Sequence, residues 1–417
     1  MRLADLVRRV LGPDVPISVR AYDGSESSPP GAIATLILRR PEALQRFVTA
    51  PGELGLGRAY VAGDIDVEGD LFGSLTAIAD HLPKPDARLV ADIIRMLGPS
   101  RLKPLPPPPE EVRLHGLRHS KARDAQAIAH HYDVSNEFYR LVLGPTMTYS
   151  CAVWDSPAVG LDAAQTAKLE LVSQKLALQP GMRLLDVGCG WGGIVLHAAA
   201  EHGVQAVGVT ISERQADLAR KRAAEAGLGD LIEIRLQDYR DVDDGPYDAI
   251  SSIGMFEHVG LERLHAYFGK LQSLLRPEGR LLNHAIGRPA KASDRRSVPV
   301  PRIGRRKRSF IDRFVFPDGE LHEVGTIVSA IQQDGFEVRH LESLREHYAL
   351  TLRAWVANLE ASWDEAVALT TEWRARVWRL YMAASAIGFE AGRIQVHQVL
   401  GVKADHGRSG LPLRPAY

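Results

Sequence analysis

Residues Leu184–Gly193 read LLDVGCGWGG, and this stretch decides the fold. An apolar run, Met182 to Val187, ends in a glycine cluster, and an amphipathic segment, Ile194 to Glu201, follows. That order spells strand, tight turn and helix. Glycines let the backbone approach a ligand closely, and a helix N-terminus offers it free N–H groups. Gly188, Gly190 and Gly193 also satisfy G-x-G-x-x-G, a pattern shared with dinucleotide sites. Two features favour S-adenosylmethionine (SAM). Asp186 stands just before the turn, where a carboxylate can orient the amino end of a methionine moiety. The next strand, Val204 to Val209, does not end in the acid that an NAD ribose requires.

Outward from the turn, strands and helices alternate. A helix from Leu161 to Leu178 leads in. Strand Val204–Val209, helix Glu213–Ala226, strands Leu231–Leu236 and Tyr247–Ile253, helix Leu261–Leu275 and strand Arg280–Ile286 follow. This is the rhythm of a doubly wound, mostly parallel α/β sheet. Phe336–Leu341 and Ile394–Lys403 supply closing strands for a seven-stranded methyltransferase sheet, with helical insertions at Ala122–Leu143 and in the Trp-rich stretch Thr351–Trp378. Those tryptophans read as core.

PLPPPP, Pro104 to Pro109, cannot be helix and reads as a stiff linker. It divides a small α+β N-terminal domain (1–100) from a catalytic domain (122–417), with 101–121 between. The first part reads as strands Val15–Tyr22, Ala32–Leu38 and Asp64–Val67, with helices Pro41–Val48, Gly55–Ala62 and Leu71–His81.

Composition bounds the function. Fifty-one basic and 51 acidic residues give zero net charge, so no global field draws the chain to nucleic acid. Two cysteines, Cys151 and Cys189, form neither a disulfide framework nor a zinc spacing, which points to a cytoplasmic setting. The N-terminus lacks the apolar core of a signal peptide, and no run approaches 18 apolar residues.

Four more segments become legible together: HHYDVSNEFY (His130–Tyr139), TMTYSCAVW (Thr146–Trp154), SSIGMFEHVG (Ser251–Gly260) and LREHYALTLRAW (Leu344–Trp355). With the glycine turn and Val209–Gln215, this set resembles the cyclopropane-fatty-acyl-phospholipid synthase family, which includes the mycolic acid cyclopropane synthases. The resemblance spans roughly Ala122 to Val402. It implies an enzyme that methylenates the cis double bond of an unsaturated phospholipid acyl chain. The alkene attacks the sulfonium methyl of SAM, and the resulting carbocation loses a proton from the new methyl group, closing a three-membered ring. In that family the base is a bound bicarbonate, whose ligands would fall on Cys151, Glu257, His284, Tyr348 and the backbone N–H of Ile286. For SAM, Asp186, Gly188, Gly190 and Gly192 would hold the methionine end. Thr210 and Gln215 would face the ribose, Gln237 and Asp238 the adenine, and Tyr149 and Ser150 would close over the cofactor. GDIDVEGDLFGSLTAIADHL, starting at Gly63, resembles a sterol-carrier type of lipid-binding module; a docking domain without a ligand is the plainer reading.

Each site residue has a structural alternative. Cys151 could be a small buried hydrophobe, Glu257 half of an ion pair, His284 a satisfied core histidine and Tyr348 a helix cap. His130, His131 and Tyr132 fit packing as well as substrate contact. Three other functions compete: a methylene- or methyl-branched product, the former saturated by a separate reductase; a non-catalytic lipid-binding protein; and a small-molecule methyltransferase. The set Glu257, His284 and Tyr348 is useless for methylating N or O. The oligomeric state, a homodimer included, stays open.

Arg288–Arg308 carries nine basic residues against one acid, Asp294, in a chain of zero net charge. A solvated loop is the plain reading. The functional one is contact with anionic lipid headgroups, worth on the order of 1 kcal/mol per residue, which would hold the enzyme peripherally at the inner face of a membrane. Changing Arg305, Arg306, Lys307 and Arg308 to Ser is expected to weaken co-sedimentation with anionic liposomes, and rising salt to weaken it for the unaltered chain. Equal binding to neutral and anionic vesicles would leave the loop as solvated surface.

Overall fold

A computed structural model of the chain describes residues 2–12, 14–50, 52–81, 87–98, 103–112, 116, 120, 121, 123, 124, 126, 134–290, 309–415 and 417. The histidine pair at 130–131, Tyr132 and residues 291–308 of the basic segment lie outside them.

The chain forms two compact units. The first comprises Met1–Arg113, Gly304–Pro317 and Trp363–Ile387. In chain order it begins with α1 (Leu3–Leu11), β1 (Ile17–Ala21), β2 (Glu26–Ser27) and β3 (Ala34–Leu38). Then come α2 (Glu42–Thr49), α3 (Glu53–Val61), β4 (Ile65–Gly69), α4 (Leu71–His81) and α5 (Ala87–Leu97). Its four strands pair in the order β2-β1-β3-β4, over a core that includes Leu6, Val7, Ile17, Leu36, Tyr60 and Ile93. The inclusion of 363–387 departs from the linear division at the proline run, and Arg376 shows why. Its side chain is buried and donates to the carbonyls of Tyr60 and Ile65 and to Asp66, at 3.2, 3.4 and 2.8 Å. A partner about 310 positions away leaves no local trace in the sequence.

The second unit holds α6 (Asn136–Leu143), α7 (Leu161–Leu176), β5 (Arg183–Val187), α8 (Gly193–His202), β6 (Gln205–Thr210) and α9 (Glu213–Glu225). It continues with β7 (Ile232–Leu236), β8 (Tyr247–Ile253), α10 (Leu264–Leu274) and β9 (Leu275–Gly287). After the short α11 (Phe310–Phe314), which belongs to the first unit, come α12 (Val324–Gln333), β10 (Glu337–Ser343) and α13 (Arg345–Ala361). The chain then forms α14 (Trp363–Leu369), α15 (Glu372–Glu390) and β11 (Gln395–Val402). The predicted helical stretch Thr351–Trp378 is thus three helices, interrupted at Ser362 and at Thr370–Thr371. Within the predicted helix Ala122–Leu143, residues 123, 124 and 126 are helical, and a helix also runs from Asn136 onward, where Ser135 caps it by accepting from the Phe138 N–H.

Seven strands form one sheet, ordered β10-β11-β9-β8-β5-β6-β7, in which β11 alone runs against its neighbours. This is the doubly wound, mostly parallel sheet expected from the alternation. Parallel strands are covered on both faces, so they read as unbroken apolar runs. Leu184 and Leu185 show this directly. Leu185 packs with Val187, Ile250, Leu281, Phe268 and Ile331, and Leu184 packs on the other face with Leu169, Val195, Ala219 and Leu400. The strand order reverses between β5 and β8, the place where an open α/β sheet leaves a crevice at its carboxyl ends.

Gly208 in β6 lets the glycine turn settle against the sheet. A Cβ there would lie 2.9 Å from the Cys189 Sγ and 3.0 Å from the Ile234 Cδ1. Overpacking of this kind costs roughly 1–3 kcal/mol. Gly208→Val is expected to push Cys189 and weaken binding of S-adenosylhomocysteine (SAH) at least about tenfold by titration calorimetry. Gly229→Ala, where a Cβ meets nothing within 4 Å, should leave the affinity unchanged.

Candidate active site

A cleft with about 1220 Å³ of empty space, its open mouth included, lies at the carboxyl ends of β5, β6, β7 and β8. Tyr149, Ser150, Asp186, Gly188, Gly190, Thr210, Gln215, Gln237 and Asp238 all line it. Gly192 does not: a Cβ there would face Ala219, Val195 and Leu196 instead. Gly190 has φ +54°, and a Cβ on it would meet nothing within 4 Å, so the turn leaves room for a ligand to approach its backbone.

The walls set the electrostatics. Asp186 pairs in register with Ser251 across β5 and β8, and the Ser251 hydroxyl donates to its carboxylate at 2.7 Å. Burial nevertheless raises the Asp186 carboxyl to about 7, against the opposing effects of that bond and the Lys168 charge. Lys168, buried on α7, donates to the Ser150 Oγ at 3.1 Å, and burial lowers its ammonium to about 8. A buried lysine on a helix was not foreseen from the sequence, and neither were Met255, His258 and Arg240 along the wall. Thr210 donates to Gln215 at 2.8 Å. Both carboxylate oxygens of Asp238 accept from Arg240, at 2.8 and 2.5 Å. Those bonds hold its carboxyl below the usual range despite partial burial.

Cys151, Glu257, His284, Ile286 and Tyr348 sit behind this cleft rather than in its wall. Tyr149 and Ser150 on one side, and Met255 and His258 on the other, reach the wall from the same segments. Glu257 lies on a 3-10 turn after β8 and accepts from the Ile286 N–H at 2.6 Å through Oε1. The Cys151 Sγ lies 3.6 Å from the Leu344 carbonyl, which also accepts from the Tyr348 N–H at 3.1 Å. Leu344 donates to Val396, and Val396 pairs with Ile286 on β9. One backbone path therefore ties the two pairs together.

Among the described residues, Glu257 and His284 each carry a buried atom without a partner, Oε2 and Nε2 respectively. Burial raises the Glu257 carboxyl to about 7, against the Ile286 N–H that favours its ionised form. Burial, then the charges of Lys168, Lys175 and His397, lower His284 to about 3, so the imidazole is neutral. Its tautomer follows from a donor count. Lys175 can only donate, and it does so to Glu342 and, at 2.7 Å, to the Gln398 Oε1. The Gln398 Nε2 therefore faces His284, 3.2 Å from Nδ1. Nδ1 accepts, and the proton sits on Nε2. With Glu257 Oε1 occupied by an N–H, the acid proton of its protonated form sits on Oε2. Two buried donors without acceptors suit a small oxyanion such as bicarbonate. Burial pushes the Cys151 thiol well up, which keeps it neutral as well.

Aromatic rings run from the cleft wall toward Tyr348. Trp191 packs on Tyr139 at 4.5 Å, Tyr139 on Tyr149 at 6.0 Å and Tyr149 on Trp355 at 5.3 Å. Tyr348 meets Trp355 at 6.1 Å and Phe389 at 4.6 Å. Trp355 is fully buried, as a core tryptophan should be, yet it belongs to this run. Ring faces attract cations by about 0.5–2 kcal/mol.

Residues 119–399 match the family model described as mycolic acid cyclopropane synthetase. The chain is 48% identical over 414 residues to a Mycobacterium tuberculosis protein named "Probable fatty acid methyltransferase", covering 96% of this chain and 94% of that one. It is 35% identical over 373 residues to the cyclopropane-fatty-acyl-phospholipid synthase of Escherichia coli, covering 88% of each. Among solved structures, the mycolic acid cyclopropane synthase CmaA1 complexed with SAH and CTAB superposes with a TM-score of 0.62 at 37% identity, over 67% of this chain and 98% of that one.

The Glu257 carboxyl binds its proton more tightly in the folded chain than in the unfolded one. The stability this contributes is full below pH 4.5 and is lost as pH rises to about 7. The loss is about 3 kcal/mol at 1.36 kcal/mol per pKa unit. Asp186 contributes with the same sign and His284 with the opposite one, so the check is a difference: over that window the urea midpoint of Glu257→Gln should fall less with rising pH than that of the unaltered ligand-free protein. An unchanged slope in the variant would place the titrating group elsewhere.

Proposed function

The chain belongs to the mycolic acid cyclopropane synthetase family, and from that premise we propose that it builds cyclopropane rings on unsaturated acyl chains of membrane phospholipids. At the coarser level it is a SAM-dependent methyltransferase that modifies lipid acyl chains. The observation that carries the finer reading is the pair of buried atoms without partners, Glu257 Oε2 and His284 Nε2, placed behind a cleft that suits SAM.

In this reading Asp186 orients the amino end of SAM, and the glycine turn receives its backbone. SAM supplies an electrophilic methyl group. The rings of Tyr149, Trp355 and Tyr348 would be the groups available to stabilise the positive charge that develops on the acyl chain after methyl transfer. Glu257, His284 and the Ile286 N–H would hold bicarbonate, which when bound supplies the base for the departing proton. In its protonated form Glu257 is a poor nucleophile, and a carbocation nearby is not trapped as an ester. Cys151 is inert for the same reason: burial keeps it a thiol.

A second reading shares the first step and differs in the proton that leaves, giving a methylene branch that a separate reductase would saturate. The relative at 48% identity favours it, being named a fatty acid methyltransferase rather than a cyclopropane synthase. Among the described residues no helix is long and apolar enough to cross a membrane, so the substrate would be reached from the surface, with the basic segment against anionic headgroups. The lipid-carrier role of the N-terminal unit is proposed on sequence resemblance alone.

Mass spectrometry of fatty acids from a host expressing the chain is expected to show a gain of one CH₂ on unsaturated chains. Derivatisation then separates a ring from a branch. Glu257→Gln should retain SAH affinity and lose roughly 10²–10⁴-fold in turnover, the usual worth of a group that handles a proton. Full activity in that variant, or a rate indifferent to carbonate depletion, would remove the bicarbonate assignment.

A further inference from the structure

We propose that Glu170, His197 and His202 form a binding site for one zinc-class divalent cation, on α7 and α8 and separate from the cleft. Glu170 Oε2 lies 3.1 Å from the His197 Nε2 and 3.0 Å from the His202 Nε2. All three candidate ligand atoms fall within 4.8 Å of one another. A tetrahedral ion with bonds of about 2.0–2.1 Å sets its ligand atoms roughly 3.3 Å apart. Two of the three distances therefore need to open by only a few tenths of an ångström, and the third, between the two imidazole nitrogens, lies within 4.8 Å and has to reach the same value.

The chemistry of the set is selective. Two imidazole nitrogens and one carboxylate oxygen suit zinc and its transition-metal neighbours rather than magnesium or calcium. Three protein ligands leave a fourth position for water, and the side chains are 11%, 19% and 37% exposed for His197, His202 and Glu170, so solvent reaches the site. The carboxylate is already oriented: its other oxygen accepts from the Gln174 Nε2 at 2.9 Å. None of the three residues lines the cleft, and the proposed reaction uses none of them. A bound ion would join α7, which carries Lys168 to the cleft wall, to α8, which opens at the glycine turn.

The competing description is a hydrogen-bonded trio in which both imidazoles donate to one oxygen and no ion enters. Calorimetric titration of untagged, chelator-treated protein with zinc chloride separates the two. The expected result is one zinc per chain in the micromolar range, no heat with magnesium chloride, and a thermal midpoint that rises until zinc saturates. His202→Gln and Glu170→Gln should each weaken zinc binding at least about tenfold while SAH affinity, measured on the same samples, stays at the unaltered value and certifies the fold. Cobalt should give a tetrahedral visible band that both variants lose. Absence of zinc binding by the unaltered chain, or variants that bind zinc as it does, would overturn the site. If both variants fail to fold, diethyl pyrocarbonate labelling of the unaltered chain decides: zinc must protect His197 and His202, and unprotected labelling overturns the proposal.

Discussion

Two buried lysines on α7 set what the rest of the catalytic unit can do. Lys168 and Lys175 are seven residues apart, two helical turns, and so share one face. That face looks inward, and both side chains are fully buried. An ammonium has three donors and no acceptor, so every group it touches must turn an oxygen toward it. Lys168 takes the Ser150 hydroxyl and stands near the Asp186 charge, which fixes the 149–151 strap over the cleft. Lys175 takes the Gln398 oxygen, which turns the Gln398 amide nitrogen to His284 and decides which imidazole nitrogen keeps its proton. One helix face thus orients both the cleft side and the side of the proposed anion site.

The sheet delivers its half through register. Glu342, Gln398 and His284 lie opposite one another across β10, β11 and β9. They form one polar row across three strands, and Lys175 caps it. The antiparallel insertion of β11 makes the row possible. In its register His284 faces Gln398 and Ile286 faces Val396, whose carbonyl receives Leu344 at the entry to the Tyr348 helix. A slip of one residue would turn each of these side chains to the other face. The position of the proposed anion site therefore depends on strand pairing as much as on the residues that would touch the anion.

This explains what could and could not be read from the chain. The inner strands were legible because parallel strands are buried on both faces and leave continuous apolar runs; Tyr247–Ile253 was placed to the residue. The glycine turn was legible because glycine has few other reasons to cluster. Helix α1 has the buried face Leu3, Leu6, Val7 and Leu11, but at nine residues it is shorter than the span over which a helical period stands out in a sequence. Lys168, Lys175 and Gln165 were invisible for a deeper reason. Polar residues on a helix signal a solvated face, and only tertiary partners reverse that reading. Glu257 and His284 were found through a family resemblance; periodicity supplied no reason to choose them over other polar residues at strand ends. The recruitment of 363–387 to the first unit rests on contacts such as Arg376 with Asp66, between distant parts of the chain.

The charge states of the site make one coherent pattern. Burial leaves Glu257 close to half-protonated near neutrality, His284 neutral and Cys151 a thiol. Such a cluster offers hydrogen-bond donors with little charge of its own. If negative charge instead came from an ionised Glu257, the chain would carry a permanent nucleophile beside a developing carbocation, together with the full cost of an unpaired buried charge. Taking the charge from an exchangeable anion avoids both. In the proposed reading the anion's charge would be stabilised by donors already in place, and the anion would leave once it had taken a proton. The apolar sheet, the two lysines and the strand register then serve one end: a donor-rich, nearly uncharged space in which negative charge enters with a ligand.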